Sequence, residues 1–114
     1  MNIQIETLED ITLVNLIGDL DANTAPQVQE RVLPMAKISG KVLLNMAQVP
    51  YMSSAGLRML LHLYRQVGED DGQVVLVGLV EEIRETMEVT GFLGFFETYE
   101  TLDTGMEALG SDKS

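Results

Sequence analysis

The amino-acid sequence predicts a single α/β domain: a mostly parallel mixed sheet with an antiparallel edge strand, its elements in the order ββαβαβαβα. Three observations predict it. The stretches Ile11–Ile17, Lys41–Met46 and Gln73–Leu79 are apolar at nearly every position, which suits strands covered on both faces. Segments with apolar residues at helical spacing alternate with them, calling for crossover helices and parallel pairing. The 114 residues suffice for one core and not for two.

Each element has its own signal. Ile3 and Ile5 alternate with Gln4 and Glu6, the pattern of a half-exposed strand, and Glu9-Asp10 turns the chain back as a hairpin. Gly18-Asp19-Leu20-Asp21-Ala22-Asn23 then breaks the strand pattern. Thr24 with Gln27 reads as a capping box, Pro26 suits a first turn, and Ala25, Val28, Val32 and Met35 form the expected inner stripe of a helix. Pro34 has no N–H to donate, so that helix is expected to end or bend near it. After the strand from Lys41 and the loop Ala47–Met52, Ser53 and Ser54 open a second helix. Leu57, Leu60, Leu61, Tyr64 and Gly68 are expected on one side of it, with Arg58, His62 and Arg65 on another.

Glu69-Asp70-Asp71-Gly72 reads as a turn into the next strand. Glu81 and Glu82 place negative charge at the start of a third helix, with Ile83 and Met87 inward and Gly91 at its C′ position. Phe95–Tyr99 predicts a short last strand, and Thr104 with Glu107 a second capping box before Met106 and Leu109. The domain is expected to span 1–110, with 111–114 as a flexible polar tail.

Composition narrows the function. The hydrophobic fraction of 46% excludes a disordered chain, and the absence of cysteine excludes disulfides, iron–sulfur clusters and thiol catalysis. The start MNIQIETLED has no basic stretch followed by an apolar run, so no secretory signal is expected; a cytoplasmic protein is the simplest reading. Eighteen acidic against seven basic residues give a net charge of −11, which repels phosphate backbones and anionic lipids. Neither nucleic acid nor a membrane surface is an expected partner.

No cofactor, metal or catalytic residue is expected. One His and no Cys cannot build a zinc site, and Glu69-Asp70-Asp71 lacks the ligand spacing of a calcium loop. Ser53-Ser54-Ala55-Gly56 stands at a strand–loop–helix junction without the Gly-x-Ser-x-Gly of a nucleophile elbow. The one imidazole, His62, lies two turns beyond Ser54, roughly 12 Å along the axis. A small serine hydrolase is therefore the weaker reading. No Gly-x-x-x-x-Gly-Lys phosphate loop is present, although purine nucleotide binding by these loops remains an alternative.

The segment Tyr51-Met52-Ser53-Ser54-Ala55-Gly56-Leu57-Arg58 is the remaining candidate, with two potential caps where a helix end needs one. Together with the preceding VLLN strand, it resembles the phosphorylation segment of STAS domains in the bacterial anti-sigma factor antagonist branch. Gly18-Asp19-Leu20-Asp21 with Thr24-Ala25 is similar to the stretch leading into that family's first helix, and Thr90-Gly91-Phe92 with Phe95-Phe96 to the segment before its last strand. The chain departs from the family pattern at Ser53 and Asn45, where Asp is frequent, and at Ala55, where Ser is frequent.

The resemblance implies a protein-binding regulator, not an enzyme. A serine kinase that doubles as an anti-sigma factor would phosphorylate Ser54, or as second choice Ser53, and a metal-dependent serine phosphatase would reset it. Asp19, Asp21, Asn23, Met52, Ser53, Gly56 and Arg58 would contact the partner. The alternative within the family is a signalling or scaffold module acting on a partner unrelated to sigma factors.

Overall fold

The computed structural model describes residues 1–110; the tail expected at 111–114 lies outside the described residues. The elements are β1 (Asn2–Leu8), β2 (Ile11–Ile17), α1 (Ala25–Ser39), β3 (Lys41–Gln48), α2 (Ser54–Glu69), β4 (Gln73–Val77), α3 (Glu81–Val89), a 3-10 turn (Leu93–Phe95), β5 (Glu97–Tyr99) and α4 (Leu102–Gly110). This is the expected order. The strands lie side by side as β1-β2-β3-β4-β5, with β1 antiparallel to β2 and every other pair parallel.

Alternation along the strands divides the core in two. Val42, Leu44 and Met46 of β3, with Val74 and Leu76 of β4, join the large core under α1, α2 and α3. Leu43, Val75 and Val77 point the other way and are covered by Leu109 and Met106 of α4. Burial on both faces explains why these strands are apolar throughout. Gly105 lets α4 approach: a Cβ there would lie 2.4 Å from Val77 Cγ1. Lys41 ties α4 to β3 by donating to the Leu109 carbonyl at 2.9 Å. Strand β1 keeps Ile3 inward and Gln4 and Glu6 exposed, as its alternation predicts.

Several local expectations are corrected by packing. Helix α1 does not end at Pro34 but runs to Ser39, where Gly40 adopts φ +75°. Pro34 is exposed, so water can hydrate the Glu30 carbonyl that loses its partner. Pro34→Ala is expected to raise stability by about 1–2 kcal/mol, the helix-propensity gain being partly offset by a freer unfolded chain. An unchanged or lower urea midpoint would contradict this account. In the inner stripe of α1, Ala36 replaces Met35, which is only half-buried.

The Thr24–Gln27 box is not formed, because Thr24 itself has near-helical angles (φ −95°, ψ −27°) and makes no side-chain cap. Asp21 does the capping: its Oδ1 accepts from the N–H of Asn23 at 2.9 Å and of Thr24 at 3.1 Å. The second box is likewise three residues early: Thr101 Oγ1 accepts from the Thr104 N–H at 3.2 Å, and Thr104 Oγ1 from the Thr101 N–H at 3.4 Å.

On α2 the buried residues are Gly56, Leu57, Met59, Leu60, Leu63 and Val67, whereas Tyr64 and Gly68 are exposed and Leu61 half-buried. Tyr64 turns toward Phe95 and Phe96, with ring centroids 6.4 and 5.3 Å away. Strand β4 stops at Val77 because Gly78 takes φ +72°. Phe95 belongs to the 3-10 turn, so β5 begins only at Glu97.

Candidate functional site

The site is built where β2 and β3 run out at their C-terminal ends, the edge at which open parallel sheets usually present ligands and partners. The β2–β3 register slips between Asn15↔Asn45 and Ile17↔Gln48, leaving one extra residue on β3. Asn45 accommodates that bulge: Oδ1 accepts from the Ala47 N–H at 3.1 Å, and Nδ2 donates to Asn15 Oδ1 at 2.8 Å. Here an amide can both accept and donate, which a carboxylate at position 45 could not.

Beyond the bulge the two following loops stay joined. Gly18 N–H donates to the Gln48 carbonyl at 3.0 Å, and Leu20 N–H to the Tyr51 carbonyl at 2.9 Å. Ser53 N–H donates to the Leu20 carbonyl at 2.9 Å, giving a parallel Leu20–Met52 bridge. Gly56 sits beneath this bridge; a Cβ would lie 2.7 Å from the Leu20 oxygen and 3.0 Å from Met52 Cγ. The loops carrying Asp19–Asp21 and Met52–Ser54 are thus held as one surface.

The two serines have different positions. Ser53 is the N-cap of α2, with φ −85° and ψ 174°, and its Oγ accepts from the Gly56 N–H at 3.2 Å. It is half-buried. Ser54 is the first helical residue, exposed, and its hydroxyl makes no hydrogen bond among the described residues. One cap suffices, so the second hydroxyl is left over at the positive end of the helix.

The other predicted residues spread around this point. Asp19 and Asn23 are exposed; Asp21 is half-buried, with its carboxylate occupied by its own loop. Met52 is half-buried against the core, and Arg58 is exposed one turn after Ser54. His62 is also exposed, and nothing brings it to Ser54.

The sequence did not indicate that α3 walls the site. A cleft of about 470 Å³ opens between α2 and α3, with Ser54 and Arg58 joined by Leu57 and Leu61 from one helix and Thr86, Thr90 and Phe92 from the other side. Phe92 reaches it because Gly91, at φ +83°, reverses the chain: Gly91 N–H bonds the Glu88 carbonyl at 3.1 Å and Phe92 N–H the Met87 carbonyl at 2.9 Å. The available signal was the Thr90-Gly91-Phe92 segment, whose glycine marks the helix stop but not what lies across from it. Among the described residues no group of three or more His, Cys, Asp or Glu could hold a metal ion. No helix there is long and apolar enough to cross a membrane.

Comparison with known proteins decides the family. The profile of the STAS domain matches residues 2–105. The chain belongs to the STAS domain family. This STAS domain is 32% identical over 94 residues to the anti-sigma-B factor antagonist of Staphylococcus epidermidis, covering 80% of the chain and 87% of that relative. It is similar in fold to a crystal structure of an anti-sigma factor antagonist from Mycobacterium paratuberculosis, with TM-score 0.82 at 23% identity, covering 95% and 92% of the two chains. It is also similar to the Bacillus cell fate determinant SpoIIAA in its phosphorylated form, with TM-score 0.71 at 18% identity, covering 94% and 98%.

Proposed function

We propose that this STAS domain is an anti-sigma factor antagonist: a cytoplasmic regulator that works by binding a serine kinase/anti-sigma factor and is switched by phosphorylation of Ser54. The observation carrying this reading is the division of labour between neighbouring hydroxyls. Ser53 Oγ is engaged at the cap, while Ser54 Oγ is exposed and has no partner among the described residues. The S. epidermidis relative, named an anti-sigma-B factor antagonist, supports the choice of partner class. Asp19, Asp21, Asn23, Met52, Ser53, Gly56 and Arg58 form the proposed contact surface around the acceptor.

The chemistry asks little of this chain. The kinase transfers the γ-phosphoryl group of a nucleoside triphosphate to Ser54 Oγ; the hydroxyl proton leaves and the diphosphate is released. A metal-dependent serine phosphatase then splits the phosphoester with water, returning the hydroxyl and inorganic phosphate. The modified residue carries about −1.5 to −2 charge and three strong acceptor oxygens. At a helix N-terminus that charge meets free N–H groups and the positive end of the dipole, so the fold tolerates it. A docked partner instead has to desolvate a dianion.

Peptide mass spectrometry of the protein from its native cell tests the acceptor. Phosphate is expected on Ser54, absent in Ser54→Ala, and retained in Ser53→Ala, which loses only about 1 kcal/mol of capping. Phosphate confined to Ser53, or absent from both, would reject the reading.

A further inference from the structure

We infer that Arg58 is the intramolecular counter-ion of phosphorylated Ser54, holding the phosphate along the exposed crest of α2. This inference rests on the proposed phosphorylation of Ser54 and assigns a regulatory device to the same site. The first observation is spacing. Ser54 is the first helical residue and Arg58 stands four positions on, so their Cβ atoms are neighbours about 5–6 Å apart. An anion N-terminal to a cation at i,i+4 is also the favourable orientation, since it agrees with the helix dipole.

The second observation is the absence of competitors. The chain has 18 acidic residues, yet none falls between Ser54 and Gly68. Arg58 lines two clefts, one between α2 and α3 and one between α1 and α2, and neither has a carboxylate in its wall. It forms no ion pair among the described residues. By contrast, Arg31 donates to the Ile3 carbonyl and Lys41 pairs with Asp10. Arg58 is an exposed guanidinium with no other occupation and a fork that matches phosphate oxygens two at a time.

A consequence follows for the switch. In the unmodified protein Arg58 is free to meet a partner; once Ser54 is phosphorylated, the guanidinium turns to the phosphate. Modification then adds negative charge and withdraws a positive group from the surface in one event.

The other titratable or charged groups on the elements meeting there are Asp19 and Asp21 on the loop after β2, Tyr51 in the cleft wall, and His62, Tyr64, Arg65 and Glu69 further along α2. Glu30, Arg31 and Lys37 of α1 line neither cleft. The charged groups of α3 do not line the cleft. They remain in place when Arg58 alone is changed, so a difference between variants isolates it. The test uses protein carrying phosphoserine at position 54, incorporated during translation so that no kinase is required. The second ionisation of the phosphate, ordinarily near pH 6, is followed by the phosphorus-31 chemical shift. Arg58→Gln is expected to raise its midpoint by about 0.3–0.7 pH unit, with Arg58→Lys between and Arg58→Glu higher still.

The difference should shrink at high salt. Because the His62 imidazole lies one turn beyond Arg58 on the same helix, the comparison is repeated in His62→Gln, where the same difference is expected. Coincident titrations of the unsubstituted and Arg58→Gln proteins overturn the clamp while leaving Ser54 as the acceptor. Absence of phosphate on Ser54 in the native cell would instead remove the switch on which the clamp depends.

Discussion

Ser54→Asp will weaken binding of the proposed kinase partner by roughly 5–150-fold, the range of an ordinary coupling free energy of about 1–3 kcal/mol. The far-UV circular dichroism will not change. Both halves come from the same location. Within the domain, a negative group at the first residue of α2 meets the positive end of the helix, a contact worth about 0.3–1 kcal/mol in favour of the fold. In a docked complex the same group must lose its hydration beside Asp19 and the half-buried Asp21, both already negative. Affinity measured by calorimetry and helicity measured on the same sample separate the effects. Unchanged affinity, or an unfolded variant, would remove the proposed switch.

The second large effect is structural and is read from two glycines of one helix. Gly56→Val is expected to cost about 2–3 kcal/mol, lowering the unfolding midpoint by about 10 °C. The added atoms meet the Leu20 carbonyl oxygen at 2.7 Å and Leu20 Cγ at 3.0 Å. That oxygen is held by the Ser53 N–H, so it cannot withdraw without breaking the bridge that joins the two loops. Hydrogen exchange should therefore also rise at Leu20 and Ser53. Gly68→Ala, on the same helix with nothing within 4 Å of the added Cβ, should stabilise by up to about 1 kcal/mol. Equal responses at the two positions would show that Gly56 is not at a close approach.

The misplaced caps show where local reading fails. Asp21, Thr24 and Gln27 are spaced by three, as are Thr101, Thr104 and Glu107, so each run contains two overlapping capping patterns. Local chemistry does not choose between them. The structure uses the earlier member each time, with Asp21 and Thr101 receiving the N–H groups. A similar ambiguity affected α2, where apolar residues fit two adjacent faces until the sheet and α1 selected Met59, Leu63 and Val67 and left Tyr64 to the aromatic contacts of Phe95 and Phe96.

By itself the sequence determined the element order, the antiparallel first strand, the acidity and the placing of two hydroxyls at the start of α2. These depend on patterns within a few residues: continuous apolar runs for strands buried on both sides, helical spacing between them, and small polar residues at a helix end. Only the tertiary structure decided which hydroxyl is left exposed, that Leu20 and Met52 bridge their loops, and that Thr90 and Phe92 complete the cleft. The bridge and the cleft join residues some thirty positions apart through backbone hydrogen bonds and packing, and no local pattern encodes which distant surface will arrive.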